Sequence, residues 1–282
     1  MTLFAKSVVV VSFLFSPALR STTMATAPAY PPIEYHETAT GVRFGIWKLE
    51  TAEAAPSPVL FILASTIEET LGTPYYRQAG NALAERGFLC VSVDLPGHGD
   101  QQDPGERAGL DGWRDRADRQ ENFVATSNQR LRDVLDHLIS EGTADPRRIA
   151  AAGTSRGAFL ALHFAAADPR VSCVAAFAPV TDLAALREFN GAENNPLVPS
   201  LSVINQSNAL AARPVWVVIG DRDDHVGSNA AIAFVRPPTT VALTRGLAAK
   251  AELHVLPEPE GHTTPAGAPA LAAAWLLTRF PP

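Results

Sequence analysis

Six short strand-like runs, spaced by helical stretches, constrain the fold of this chain more than any other feature. They cover residues 59–63, 88–93, 148–152, 171–177, 214–219 and 251–256. Most are apolar from end to end and too short for a buried helix. Such runs suit strands covered on both faces, as in a parallel sheet. Between them lie segments of helical spacing: residues 74–86, 123–139, 158–165 and 266–279. Two short helices split by Pro237 and Pro238 are expected over 230–249. The alternation predicts βαβ units, hence an α/β fold with a mostly parallel, doubly wound sheet and helices on both faces. Residues 34–38 and 41–49 read as two further strands in an antiparallel hairpin at a sheet edge. In such sheets, ligands bind beyond the carboxyl ends of the strands.

The most informative of those ends is Gly153-Thr154-Ser155-Arg156-Gly157, a G-x-S-x-G sequence between the 148–152 strand and the 158–165 helix. A serine on a sharp strand-to-helix turn needs neighbours without bulk on either side, so that the two backbones can approach. The helix start points backbone N–H groups at the serine oxygen, where they favour developing negative charge. A serine hydroxyl is a weak nucleophile and needs a histidine base held by a carboxylate. His262, after the last strand, is the candidate base. Asp221, Asp223 and Asp224, after the 214–219 strand, are the candidate acids.

These stretches resemble the α/β-hydrolase superfamily over residues 42–280. Gly153–Gly157 looks like its nucleophile elbow. Asp94-Leu95-Pro96-Gly97-His98-Gly99 looks like its D-x-P-G-H-G loop. Gly220-Asp221-Arg222-Asp223-Asp224-His225-Val226 is similar to its G-x-x-D-x-x-V acid loop, and Glu260-Gly261-His262 to its histidine loop. Within the superfamily the chain looks most like the serine esterases of dienelactone-hydrolase-like and prolyl-oligopeptidase-like type.

The resemblance implies Ser155, Asp223 and His262 as catalytic residues, in the family's chain order, with Asp221 as the alternative acid. It implies an oxyanion hole made by the backbone N–H of Arg156 and by a second N–H after the 59–63 strand. Family members often carry His-Gly there, whereas this chain has Ala64-Ser65-Thr66. The expected donor is Thr66, with Ser65 as the alternative. The implied function is a serine hydrolase of carboxylic esters, with only a small flap over the site in residues 181–213. A peptidase, another acyl hydrolase or acyltransferase, and a non-catalytic binding member are the alternatives.

Composition narrows the partners. The net charge is −6, and no Lys/Arg stripe argues for nucleic acid. No metal-ligand spacing, GxGxxG or P-loop pattern occurs, so no cofactor and no metal are expected. Cys90 and Cys173 sit in apolar runs and read as buried thiols. Residues 1–27 hold a short apolar segment after Lys6. They read as a signal peptide, or as a leader ahead of a true start at Met24, with a single domain over 28–282. The first case implies a secreted or periplasmic protein, the second a cytoplasmic one. The segment is too short to span a bilayer, so no stable membrane insertion is expected. His98, His163 and His254 read as structural, and His225 as a surface or pocket-rim residue. Trp47, Trp113, Trp216 and Trp275 read as core or packing residues, with pocket lining an alternative for Trp113 alone. Tyr75 and Tyr76 are expected to pack within their helix, with a place on the substrate wall as the alternative.

Overall fold

A computed structural model describes residues 31–50 and 56–280. The 1–27 segment lies outside them. Eight strands form one sheet: β1 (Glu34–Glu37), β2 (Arg43–Trp47), β3 (Ser57–Leu63), β4 (Leu89–Ser92), β5 (Ala144–Thr154), β6 (Val171–Phe177), β7 (Val215–Gly220) and β8 (Ala251–Leu256). Their order across the sheet is β1-β2-β4-β3-β5-β6-β7-β8. β1 pairs with β2, and β2 with β4, in antiparallel fashion, while all other pairs are parallel. The expected edge hairpin and parallel sheet are both present.

The helices follow in chain order: α1 (Ile67–Gly72), α2 (Pro74–Arg77), α3 (Gly80–Ala84), α4 (Gly109–Asp118), α5 (Phe123–Ser140), α6 (Arg156–Ala167), α7 (Leu197–Ser200), α8 (Ser207–Leu210), α9 (Ser228–Thr244) and α10 (Ala268–Leu277). Among the described residues, no helix is long and apolar enough to cross a membrane.

The pleat explains why the central strands are apolar throughout. Successive side chains point to opposite faces, and both faces are covered. Val59, Phe61 and Leu63 join Ile149, Ala151, Val174, Ala176, Val215 and Val217 in a core beneath α4, α5, α6 and α9. Leu60 and Ile62 join Cys90, Ala150, Cys173, Ala175 and Trp216 in a second core beneath α1, α3 and α10. α5 starts where the Asn122 side chain accepts the Ala125 N–H, and it buries Val124, Leu131, Val134, Leu135 and Leu138. α6 has no polar face along its first three turns: Gly157 to Ala165 are all buried. A helix of that kind belongs inside a protein, and α6 begins at the serine. Cys90 and Cys173 are free buried thiols, and burial pushes both up to about 12.

Two expectations need correction. The helix expected over 74–86 is broken into α2 and α3 at Gln78, which adopts φ 48° and ψ −123°. The two helices expected around Pro237 and Pro238 are one, α9. Proline's fixed φ is compatible with the helix, and the cost lies in missing N–H donors. The hydroxyls of Thr239 and Thr240 add bonds to the Val235 and Arg236 carbonyls at that point. Trp113 follows the packing reading: it is fully buried, and its Nε1–H donates to the Pro96 carbonyl at 2.6 Å.

Candidate active site

β5 runs into α6 through Ser155, which takes φ 56° and ψ −119°. Left-handed backbone at a non-glycine residue costs on the order of 1–3 kcal/mol and persists only where its surroundings enforce it. Here the Ser155 N–H donates to the Phe177 carbonyl, and the Ser155 carbonyl accepts from Val180 and Phe159. The two glycines follow from contact. A Cβ on Gly153 would lie 2.4 Å from the Gly157 carbonyl carbon, and one on Gly157 would lie 1.9 Å from the Leu63 carbonyl oxygen. Strand, helix and the neighbouring strand β3 leave no room for a methyl group.

The turn after β7 carries Asp223, which is buried. Its Oδ1 accepts the N–H groups of His225 and Val226, both at 3.1 Å. Its Oδ2 lies 2.7 Å from His262 Nδ1, on the loop after β8. A carboxylate only accepts, so Nδ1 carries the proton and Nε2 is left to accept. His262 Nε2 lies 2.9 Å from Ser155 Oγ. Serine, imidazole and carboxylate thus form one hydrogen-bonded chain across three loops at the carboxyl end of the sheet. The other two acids stand apart. Asp221 accepts the Glu258 N–H through Oδ1 at 2.9 Å, which braces the histidine loop, and Asp224 is exposed.

His225, expected at the rim, is half-buried, and its ring centroid lies 4.9 Å from that of His262. Burial and then the charge of His262 hold its pKa below the usual histidine value. His163 and His98 have structural partners. His163 bonds the Leu201 carbonyl from within the core. His98 Nδ1 bonds the Pro96 carbonyl, and burial followed by the charge of Arg156 lowers its pKa.

A cavity of about 140 Å³ opens at the serine. Its walls include Ala64, Tyr75, Tyr76, Thr154, Arg156 and Thr263, so the two tyrosines face the site rather than only packing within their helix. Gln78, given no role by its sequence neighbours, ties this wall together. Its Nε2 donates to Thr264 Oγ1 at 2.8 Å and to Thr154 Oγ1 at 3.3 Å, joining the histidine loop to the elbow. The Tyr75 hydroxyl accepts the Thr264 N–H on the same loop.

As the first residue of α6, Arg156 has an N–H with no intrahelical acceptor. In the turn after β3, the Ser65 N–H is taken up by Thr70 Oγ1 at 3.2 Å. That leaves the N–H groups of Ala64, on the cavity wall, and Thr66, the N-cap of α1. This turn is held from the side by Asp94 of the D-x-P-G-H-G sequence. Asp94 Oδ1 accepts the Ile67 N–H at 2.8 Å and Oδ2 the Asp100 N–H at 3.0 Å. The Leu95 N–H donates to the Ser65 carbonyl. Gly99, at φ +50°, passes so close that a Cβ there would lie 2.5 Å from Asp94 Oδ2.

Residues 71–200 match the model of the alpha/beta hydrolase family, a stretch that contains Ser155 but stops short of Asp223 and His262. No curated protein sequence is detectably similar to this one. Several solved structures share its fold. TT1662 from Thermus thermophilus is 21% identical with a TM-score of 0.64, over 88% of this chain and 98% of that one. Acetyl xylan esterase 1 from Thermoanaerobacterium sp. JW/SL YS485 is 20% identical with a TM-score of 0.58, over 90% and 89%. Porphyromonas gingivalis dipeptidyl peptidase 4 is 17% identical with a TM-score of 0.60, over 89% of this chain and 36% of that one. The sheet order and the serine turn are those of the α/β-hydrolase fold, and residues 71–200 match that family's model.

Proposed function

We propose that the chain is a serine hydrolase of short-chain carboxylic esters, acting through an acyl-enzyme on Ser155. The observation that carries this is the unbroken hydrogen-bond chain from Ser155 Oγ through His262 to the buried Asp223. In acylation, Ser155 Oγ attacks the ester carbonyl while His262 Nε2 takes the hydroxyl proton. The carbon–oxygen bond to the alcohol then breaks, and His262 returns the proton to the leaving oxygen. Water repeats the cycle on the acyl-enzyme. Asp223 holds the imidazole in the productive tautomer and stabilises the imidazolium. The N–H group of Arg156 and that of Thr66 or Ala64 receive the oxyanion, Ser65 being committed to Thr70.

The small cavity supports a short acyl group. Among the fold's neighbours are an acetyl xylan esterase and a dipeptidyl peptidase, so amide substrates belong in the test. The protein and its Ser155→Ala variant are treated with a fluorophosphonate probe. They are then assayed on p-nitrophenyl esters from acetyl to long acyl chains and on matched p-nitroanilides. Labelling of the wild type alone, with fastest turnover on the shortest esters, is expected. An unlabelled wild-type protein would sink the proposal, and faster anilide cleavage would make it a peptidase.

A further inference from the structure

The side chain of Arg156 has no role in the mechanism above, which uses only its backbone. It nevertheless sits on the wall of the serine cavity, half-buried. Its Nε is buried without a hydrogen-bond partner. Among the described residues, no carboxylate forms an ion pair with its guanidinium; Glu69 and the Tyr76 phenol act on it only at longer range. The Glu69 carboxylate is engaged by the Ser65 hydroxyl. Burial pulls the guanidinium pKa below the usual arginine value, the mark of a cation that has lost water without gaining a partner. The guanidinium also acts on the ring of His98 and on the Tyr76 hydroxyl, which places its charge at the tyrosine wall of the cavity.

Burying a charge without a counter-ion is costly, and proteins keep such groups where a ligand completes them. Arginine's planar fork matches a carboxylate in two-point fashion. The chain as a whole is acidic, at net charge −6, so long-range attraction gives an anion no help, and the match must be local. We propose that Arg156 selects anionic esters, substrates whose acyl portion carries a carboxylate that pairs with its guanidinium while the ester carbonyl lies at Ser155. This rests on the hydrolase assignment above. Thr154, Thr263 and Tyr76 line the same cavity and add polar groups to its wall.

The test compares monomethyl succinate with methyl pentanoate, a neutral ester of similar length, by pH-stat. Wild-type protein should favour the anionic ester in kcat/KM by about tenfold or more. Arg156→Gln should reduce that preference by about tenfold or more, and Arg156→Lys should restore part of it. Equal or faster cleavage of the neutral ester, with a ratio that Arg156→Gln leaves unchanged, would overturn the proposal. Fluorophosphonate labelling of Ser155 separates this from failure of the hydrolase assignment. If neither ester is cleaved, monomethyl succinate is titrated calorimetrically into Ser155→Ala protein. Binding that is lost in the Ser155→Ala, Arg156→Gln double variant supports the anion site, and absence of binding overturns it.

Discussion

Gly157 lies so close to the Leu63 carbonyl that a Cβ there would come within 1.9 Å of the carbonyl oxygen. Neither partner can yield, because one is the backbone of a central strand and the other opens a run of nine buried helical residues, Gly157 to Ala165. Gly157→Ala should therefore destabilise the fold by about 3 kcal/mol or more, as an overpacked core does. Urea denaturation checks this. Ala158→Gly, one residue on, should cost only about 1 kcal/mol.

Asp223 and Asp221 stand two residues apart on one turn and do different work. On the proposed mechanism, Asp223→Asn should lower kcat by about 10⁴, because the amide no longer holds the imidazole tautomer. Asp221→Asn loses a charged acceptor for the Glu258 N–H and should cost on the order of 1 kcal/mol of stability, with kcat within severalfold of wild type. Steady-state kinetics and thermal melts on the two variants decide it. The reverse pattern would move the acid to Asp221.

Gln78 couples the histidine loop to the elbow from a left-handed backbone position. Gln78→Gly removes both the strain and the amide. Stability should change by no more than about 1–2 kcal/mol, since the two losses oppose each other. The rate should fall about tenfold through a looser His262. A variant with unaltered kcat would show that the amide only packs.

His163 gives stability a pH dependence of known sign. Burial lowers its folded-state pKa from 6.5 to about 4. The unfolded chain takes up a proton that the folded chain refuses as pH falls below 6.5. Stability is therefore lost down to about pH 4 and levels off below it, a contribution of roughly 3 kcal/mol. Above 6.5 both states are neutral and the contribution is complete. His163→Gln keeps a donor for the Leu201 carbonyl and cannot titrate. Its denaturation free energy should vary less than the wild type's between pH 6.5 and 4.

The parts of this molecule readable in the sequence are those enforced by local backbone geometry. Gly153 and Gly157 are imposed by contact, and the hydrogen bonds that Asp223 accepts from the His225 and Val226 N–H groups fix a spacing that shows as a motif. The apolar runs encode a sheet covered on both faces. Features that depend on distant partners were not readable. Gln78 breaks a helical pattern near Thr154 and Thr264, 76 and 186 residues away. Trp113 is buried under a carbonyl of the Pro96 loop. Pro237 and Pro238 lie within one helix because their surroundings tolerate the missing donors. In the Ala64-Ser65-Thr66 turn the family resemblance implies Thr66 or Ser65 as donor, and only the fold shows that the Thr70 hydroxyl occupies Ser65.

The two oxygens of Asp94 reach backbone N–H groups on both sides of it, one from the turn after β3 and one from its own loop. The turn beside the serine cavity and the loop bearing His98 are thereby one jaw rather than two independent lips. Any partner or mutation that displaces the 97–101 loop moves the floor of the cavity with it, although no atom of that loop reaches the serine. Inhibitors directed at this protein could then act from the outer face of the jaw, where the acyl pocket itself offers little room.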